Sequence, residues 1–147
     1  MSLKDTLTND MKSALKAGDR ERLKVIRLVL ADVKRAEIDA RRELDDAGVL
    51  SVIEKAVKQR RDSIEQFTKG GRGDLARNEE AELEVISAYL PEPLGDDELD
   101  ALIDEIIDST GAASIRDMGK VMGAIKAKAA GRADMGAVGA RVKARLA

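Results

Sequence analysis

The stretch "YLPEPLGDDELDALIDEIIDSTG" (Tyr89–Gly111) decides how this chain is organised. Pro91 and Pro93 are its only two prolines. Proline offers no N–H to a helix and drives the residue before it out of the helical region, so a helix stops before Pro91 and an extended link follows. Beyond the link, acids gather where a helix dipole favours them, at Asp96 and Asp97. Leu99, Leu102, Ile103 and Ile106 then recur at helical spacing until Gly111. The pattern is helix, break, helix, and it places a domain boundary here: residues 1–90, a link at 91–95, and residues 96–147.

Upstream, the apolar periodicity predicts four helices. The first runs from Leu3 to Ala17 and stops at Gly18. Asp19 caps a long second helix to about Arg42, with Leu23, Ile26, Leu30 and Val33 on one face. A third covers Val49 to Lys69, with a seam of Leu50, Ile53, Val57, Ile64 and Phe67. After "KGGRGD", a fourth carries Leu75, Leu83, Ile86 and Leu90. Short connections favour antiparallel neighbours, so the first part reads as helical hairpins or a bundle. The opening Met-Ser-Leu has the form of a cloning scar, and Ser2 is given no weight.

Downstream, "SIRD" (Ser114–Asp117) is a capping-box-like start for a helix with Met118, Val121, Met122, Ile125 and Ala129 on one face. Gly131 suits its C-terminal turn. A last helix from Asp134 presents Met135, Val138, Val142 and Leu146, completing a small three-helix bundle.

Composition agrees with an all-α fold. Apolar residues make up 44% of the 147 but aromatics only 1%, so the core is built from Leu, Ile, Val, Met and Ala. With no cysteine, disulfides and thiolate metal sites are excluded. With no histidine, the usual general base, zinc ligand and nucleophile-activating pairs are missing too. No apolar run approaches the roughly 18–20 residues that cross a bilayer, and no signal-peptide core is present. A cytoplasmic protein without membrane association is the expectation.

The net charge of −2 conceals an uneven distribution. Residues 1–90 balance, residues 91–110 hold eight acids and no base, and residues 111–147 hold eight bases and two acids, a net of +6. The acidic run lacks the spacing and glycine of a calcium loop and reads as a solvated helix face; no metal is expected there. Arg61 shares a helix face with Val57, Ile64 and Thr68, and a hairpin about Gly71 sets it opposite Glu79. A partly buried Arg61–Glu79 ion pair is therefore predicted, the alternative being an anion site around Arg60, Arg61 and Arg72. No catalytic residue emerges, since Ser63 and Ser87 lie within helices without a base, and the glycines of "KGGRGD" do not form a phosphate loop.

"MGKVMGAIKAKAAGRAD" (Met118–Asp134) combines two helix-interrupting glycines, Gly119 and Gly123, with Lys120, Lys126, Lys128 and Arg132. Each glycine costs roughly 1 kcal/mol against alanine inside a helix. Close approach by another helix of the bundle is the first explanation from the wheel, and close approach by a nucleic-acid backbone is the second.

Together with "QRRDSIEQFTKGGRGDLARNEEAELEVISAYLPEPLGDDEL" (Gln59–Leu99), this stretch resembles the YqeY proteins. The motifs are Arg-x-Asp-Leu (Arg72–Leu75), Tyr-Leu-Pro (Tyr89–Pro91) and Met-Gly-Lys-Val-Met (Met118–Met122). The C-terminal part of that family is shared with the tail of GatB, a subunit of the tRNA-dependent amidotransferase, and similar domains are appended to a glutaminyl-tRNA synthetase. The resemblance implies two all-helical domains, a link to tRNA, no cofactor and no catalytic machinery in the free-standing protein. The tail positions it carries over are Gly119, Lys120, Val121, Met122, Gly131, Arg132 and Asp134. The chain departs from the family at Met135, Gly136 and Gly139, which shifts the expected RNA contact toward the glycine-containing helix and its following loop.

The leading expectation is thus a non-catalytic tRNA-binding or tRNA-enzyme accessory module, with an aminoacyl-tRNA synthetase or amidotransferase as a further partner. Its nucleic-acid-binding set is Gly119, Lys120, Gly123, Lys126, Lys128, Gly131, Arg132, Arg141, Lys143 and Arg145. The absence of aromatic platforms points to structured RNA rather than single strands. The alternatives are a helical protein–protein module and a component of carbon–nitrogen ligation with glutamine as amide donor.

Overall fold

A computed structural model describes all 147 residues. Its seven α-helices are α1 (Leu3–Ala17), α2 (Arg20–Ala40), α3 (Asp46–Lys69), α4 (Gly73–Ser87), α5 (Asp96–Thr110), α6 (Met118–Ala129) and α7 (Met135–Leu146), with one 3-10 turn at Ile115–Asp117 and no strand. The fold is all-α. The chain divides into two compact units, Met1–Leu90 and Pro91–Ala147.

In the first unit, side-chain caps set the helix starts. Ser2 accepts from the Asp5 N–H at 3.1 Å while Asp5 accepts from the Ser2 N–H, a reciprocal capping box at a residue given no weight from sequence. Asp19 caps α2 through the Arg22 N–H at 3.1 Å. Asp45 accepts from the Gly48 N–H at 2.9 Å, so α3 opens at Asp46, three residues before its apolar periodicity begins. Gly18, at φ 71°, turns the chain between α1 and α2.

The core of this unit joins Leu7 of α1, Val25, Ile26, Val29 and Val33 of α2, Val49, Ile53, Ala56 and Val57 of α3, and Ile86 of α4. Tyr89, just past α4, reaches back to α1, its hydroxyl donating to Asp10 Oδ2 at 2.6 Å. Burial, and then the hydrogen bond to that carboxylate, push the phenol pKa up to about 12. The tyrosine of the Tyr-Leu-Pro motif is therefore a latch that closes the unit before the prolines. The Arg-x-Asp-Leu motif is structural as well, because Arg72 forks onto Asp74 at 3.1 and 3.2 Å where α4 begins.

Glu37 ties three elements together. Its Oε2 accepts from Lys4 Nζ of α1 at 2.6 Å and from the Leu44 N–H of the α2–α3 loop at 2.9 Å. The Lys4 hydrogen bond first, and the Leu44 N–H second, hold the Glu37 carboxyl below its ordinary 4.5. A depressed carboxyl pKa contributes stability that is complete above the unfolded value and lost as pH falls through the folded one. Glu37→Gln is expected to melt at lower temperature than wild type at neutral pH, with the gap narrowing as pH falls below the ordinary carboxyl value of 4.5. Thermal melts across that range check this; a gap independent of pH contradicts it.

The predicted Arg61–Glu79 pair does not form. Arg61 is exposed, and neither residue takes part in an ion pair. Arg60 occupies that role one position earlier, with Nε 3.6 Å from Glu82 Oε2 and side chains only 12% and 17% exposed. The seam of α3 runs Ile53, Val57, Arg60, Ile64, Phe67, a 4–3–4–3 spacing that includes Arg60 and leaves Arg61 outside. The alternative anion site is not assembled either, since Arg60 faces Glu82 and Arg72 is held by Asp74. Glu82→Leu leaves Arg60 uncompensated and is expected to cost about 2–3 kcal/mol, below the roughly 3–5 of a fully buried pair. Adding Arg60→Met recovers most of that loss in denaturant melts; additive losses contradict the coupling.

In the second unit, Leu99, Ile103 and Ile106 of α5 meet Val121, Ile125 and Ala129 of α6 and Val138, Val142 and Leu146 of α7. Asp117 accepts from the N–H groups of Ala113 and Ser114 at 2.9 and 3.3 Å, starting the turn that feeds α6. Those hydrogen bonds lower the Asp117 pKa. The segment 91–95, read as a link, is fastened to this unit. The Leu94 N–H donates to the Arg132 carbonyl at 2.8 Å, and Arg132 Nε donates to the Glu92 carbonyl at 2.9 Å.

Candidate nucleic-acid interface

The basic residues of the second unit divide into two groups. Four of them face the acids of α5. Arg141 reaches Asp100 at 2.7 Å and Asp96 at 2.9 Å. Arg145 reaches Asp104 and, at 3.6 Å, Asp100. The cause is periodicity: Asp96, Asp100 and Asp104 lie four apart on α5, and Arg141 and Arg145 lie four apart on α7. Lys128 pairs with Glu105 at 3.4 Å, and Arg132 sits 3.9 Å from Glu98. The acidic run and part of the basic run thus neutralise each other within the unit. Lys128, Arg132, Arg141 and Arg145 each stand beside an acid of α5.

The other group is unpaired. Lys120 and Lys126 of α6 and Lys143 of α7 are exposed and make no ion pair; so is Arg116, in the turn before α6, which the sequence reading did not include. Gly119, Gly123 and Ala127, spaced by four, run down the exposed side of α6 opposite Val121 and Ile125. Lys120 and Lys126 flank Gly123 at three residues on either side, and Arg116 lies seven residues before it. That seven-residue spacing was the signal for Arg116.

Packing within the unit does not explain the two glycines. A Cβ added at Gly119 or Gly123 would meet nothing within 4 Å. The first explanation from the wheel, close approach by a neighbouring helix, is therefore overturned. The glycine that does face a neighbour is Gly139 on α7, where a Cβ would lie 3.7 Å from Met122 and 3.8 Å from Met118. Gly131, at φ 73°, supplies the left-handed residue that turns the chain after α6.

These features define a two-unit helical protein whose smaller unit displays a glycine-floored helix edged by lysines, beside a set of ion pairs between α5 and the basic residues that face it. The family described as YqeY-like protein matches residues 4–146, and the chain belongs to it.

Relatives share the name "Altered inheritance of mitochondria protein 41, mitochondrial". The one from Lachancea thermotolerans is 38% identical over 104 residues, 69% of this chain and 56% of the relative. That from Eremothecium gossypii is 41% identical over 85 residues, 57% of this chain and 46% of the relative. That from Pyrenophora tritici-repentis is 31% identical over 129 residues, 86% and 71% of the two chains. The chain spans about half the length of the first two. The cytoplasmic expectation is overturned by this comparison, because these relatives are named as mitochondrial proteins. It had rested on the lack of a membrane-spanning segment; no helix here is long and apolar enough to cross a membrane, but that property does not distinguish one aqueous compartment from another.

Proposed function

We propose that this protein is a non-catalytic tRNA-binding accessory module whose RNA contact is the exposed face of α6. The observation that carries the reading is the open space over Gly119 and Gly123. Two residues unfavourable to a helix are kept where nothing in the unit touches them, between lysines that no acid neutralises. A phosphodiester backbone lying on that face gains from both features: the missing side chains let it come close, and Lys120, Lys126 and Arg116 supply the charge. The resemblance of Met118–Met122 to the amidotransferase tail supports the same assignment. Arg141 and Arg145 act in this reading as struts between α5 and α7.

A mobility-shift titration with total tRNA tests it, with mitochondrial tRNA included because of the relatives' names. Binding is expected at low salt, weakening roughly as the second to third power of salt concentration for about three phosphate contacts. Gly123→Ala gives the sharper outcome. The variant is expected to be about 1 kcal/mol more stable in thermal melts, since alanine is the better helix former and has room. The same methyl group is expected to weaken tRNA binding severalfold. Greater stability with unchanged affinity removes α6 as the contact, and no binding by wild type at low salt removes the function.

A further inference from the structure

We infer that the outer face of α2 is a docking surface for an acidic amphipathic helix of a protein partner. The inner face of α2 is fully used by the core of its unit, through Val25, Ile26, Val29 and Val33. On the opposite side, Lys24, Leu28, Ala31, Arg35 and Ile38 follow one another at 4–3–4–3 spacing, and all five are exposed. That is the spacing of a helix-packing seam on a face that no element of its own unit covers. Leu28 and Ile38 are 42% and 65% exposed, two of the few large apolar side chains left to solvent. A shallow depression beside Leu28, lined also by Arg20, Leu23, Lys24 and Arg27, can receive an apolar side chain.

Charge selects the occupant. Arg27 and Lys34 border the seam on one side, and Arg20 extends it at the N-terminal end; none of the three has an ion-pair partner. Of the two cations within the seam, Lys24 is 3.9 Å from Glu82 and Arg35 is 3.5 Å from Asp32, both at the edge of the face. The five cations lie along the seam and one border, with Glu21, Asp32 and Asp39 along the other, over a length of about 27 Å for the eighteen steps from Arg20 to Ile38. An occupant therefore sets its acids against the Arg20–Arg27–Lys34 side. A second copy of the same face brings cation against cation at Lys24 and Arg35. A phosphate backbone satisfies the cations but gains nothing from Leu28 and Ile38. A helix of about five turns with leucines at 3–4 spacing and glutamates beside them satisfies both.

The probe is a labelled synthetic peptide of that design, titrated by fluorescence anisotropy against the full chain. A peptide with the same residues in scrambled order, total tRNA and phosphatidylserine vesicles are run alongside. The ordered peptide is expected to bind at least about tenfold more tightly than the scrambled one. Leu28→Ser with Ile38→Ser is expected to lower that affinity about tenfold, and Arg27→Glu with Arg35→Glu to do so by more. These positions are exposed, so the variants keep their helical circular dichroism, and the two pairs check one another. Equal binding of the scrambled peptide overturns the proposal, as does indifference to the Leu28/Ile38 pair. So does preferential binding of tRNA or vesicles that the same substitutions abolish.

Discussion

Ile125→Ala is expected to unfold the C-terminal unit while the N-terminal unit stays folded. Ile125 is fully buried at the centre of the cluster where α5, α6 and α7 meet. Removing three buried carbons costs about 2–5 kcal/mol, from lost transfer energy and the cavity left behind. A unit spanning residues 91–147 has a total stability of only about 3–9 kcal/mol at typical per-residue values. The loss is therefore comparable with the whole. The N-terminal unit keeps its own core around Leu7, Ile26, Ile53 and Ile86, which Ile125 does not enter. Amide exchange resolved along the chain reads the result: protection is lost from Asp96 onward and retained in α1 to α4. Collapse of protection in both regions together contradicts independent cores.

Lys120→Glu with Lys126→Glu carries the second large effect, on RNA. Both side chains are exposed and unpaired on the face proposed to meet tRNA, so reversing them changes the local charge by four units without touching the core. Affinity at low salt is expected to fall about a hundredfold, and the salt dependence to flatten as phosphate contacts disappear. Arg141→Gln serves as the contrast. It breaks the contacts to Asp96 and Asp100 and is expected to lower the melting temperature, most clearly at low salt, with little change in tRNA affinity. If Arg141→Gln costs as much affinity as the lysine reversals, the RNA contact includes α7 and the division of the basic residues into struts and ligands fails.

That division shows why part of the candidate site was illegible from sequence. Lys120, Lys126, Arg132, Arg141 and Arg145 look alike in a list of cations. What separates them is whether an acid of α5 stands opposite. The spacing of Asp96, Asp100 and Asp104 was visible, but its register against Arg141 and Arg145 depends on how α5 and α7 are set side by side. The glycines show the same limit. A wheel placed Gly119 and Gly123 away from the apolar stripe, yet only the packed unit reveals that nothing lies over them and that Gly139 is the one beside another helix.

Arg60 and Arg61 make the point at the scale of one residue. The spacing that includes Arg60 in the α3 seam was present in the chain, but an equally regular spacing included Arg61. Periodicity alone does not fix the phase of a helix when both readings hold an apolar neighbour on each side. Packing against α4 decided it, by placing Glu82 rather than Glu79 toward α3. Ser2 is the converse case, a local capping signal present in the sequence and set aside.

The sequence by itself determined the all-α class, the order of the helices, the break at Pro91 and Pro93, and family membership. These follow from local chemistry: propensity, caps, proline geometry and apolar period act within a turn or two of the chain. Only the tertiary structure decided which charges are neutralised, which arginine enters the α3–α4 seam, and which faces of α2 and α6 are left uncovered. Those are relations between helices distant in sequence, set by the angle and register at which two apolar stripes meet, and a shift of one residue in that register exchanges one side chain for the next.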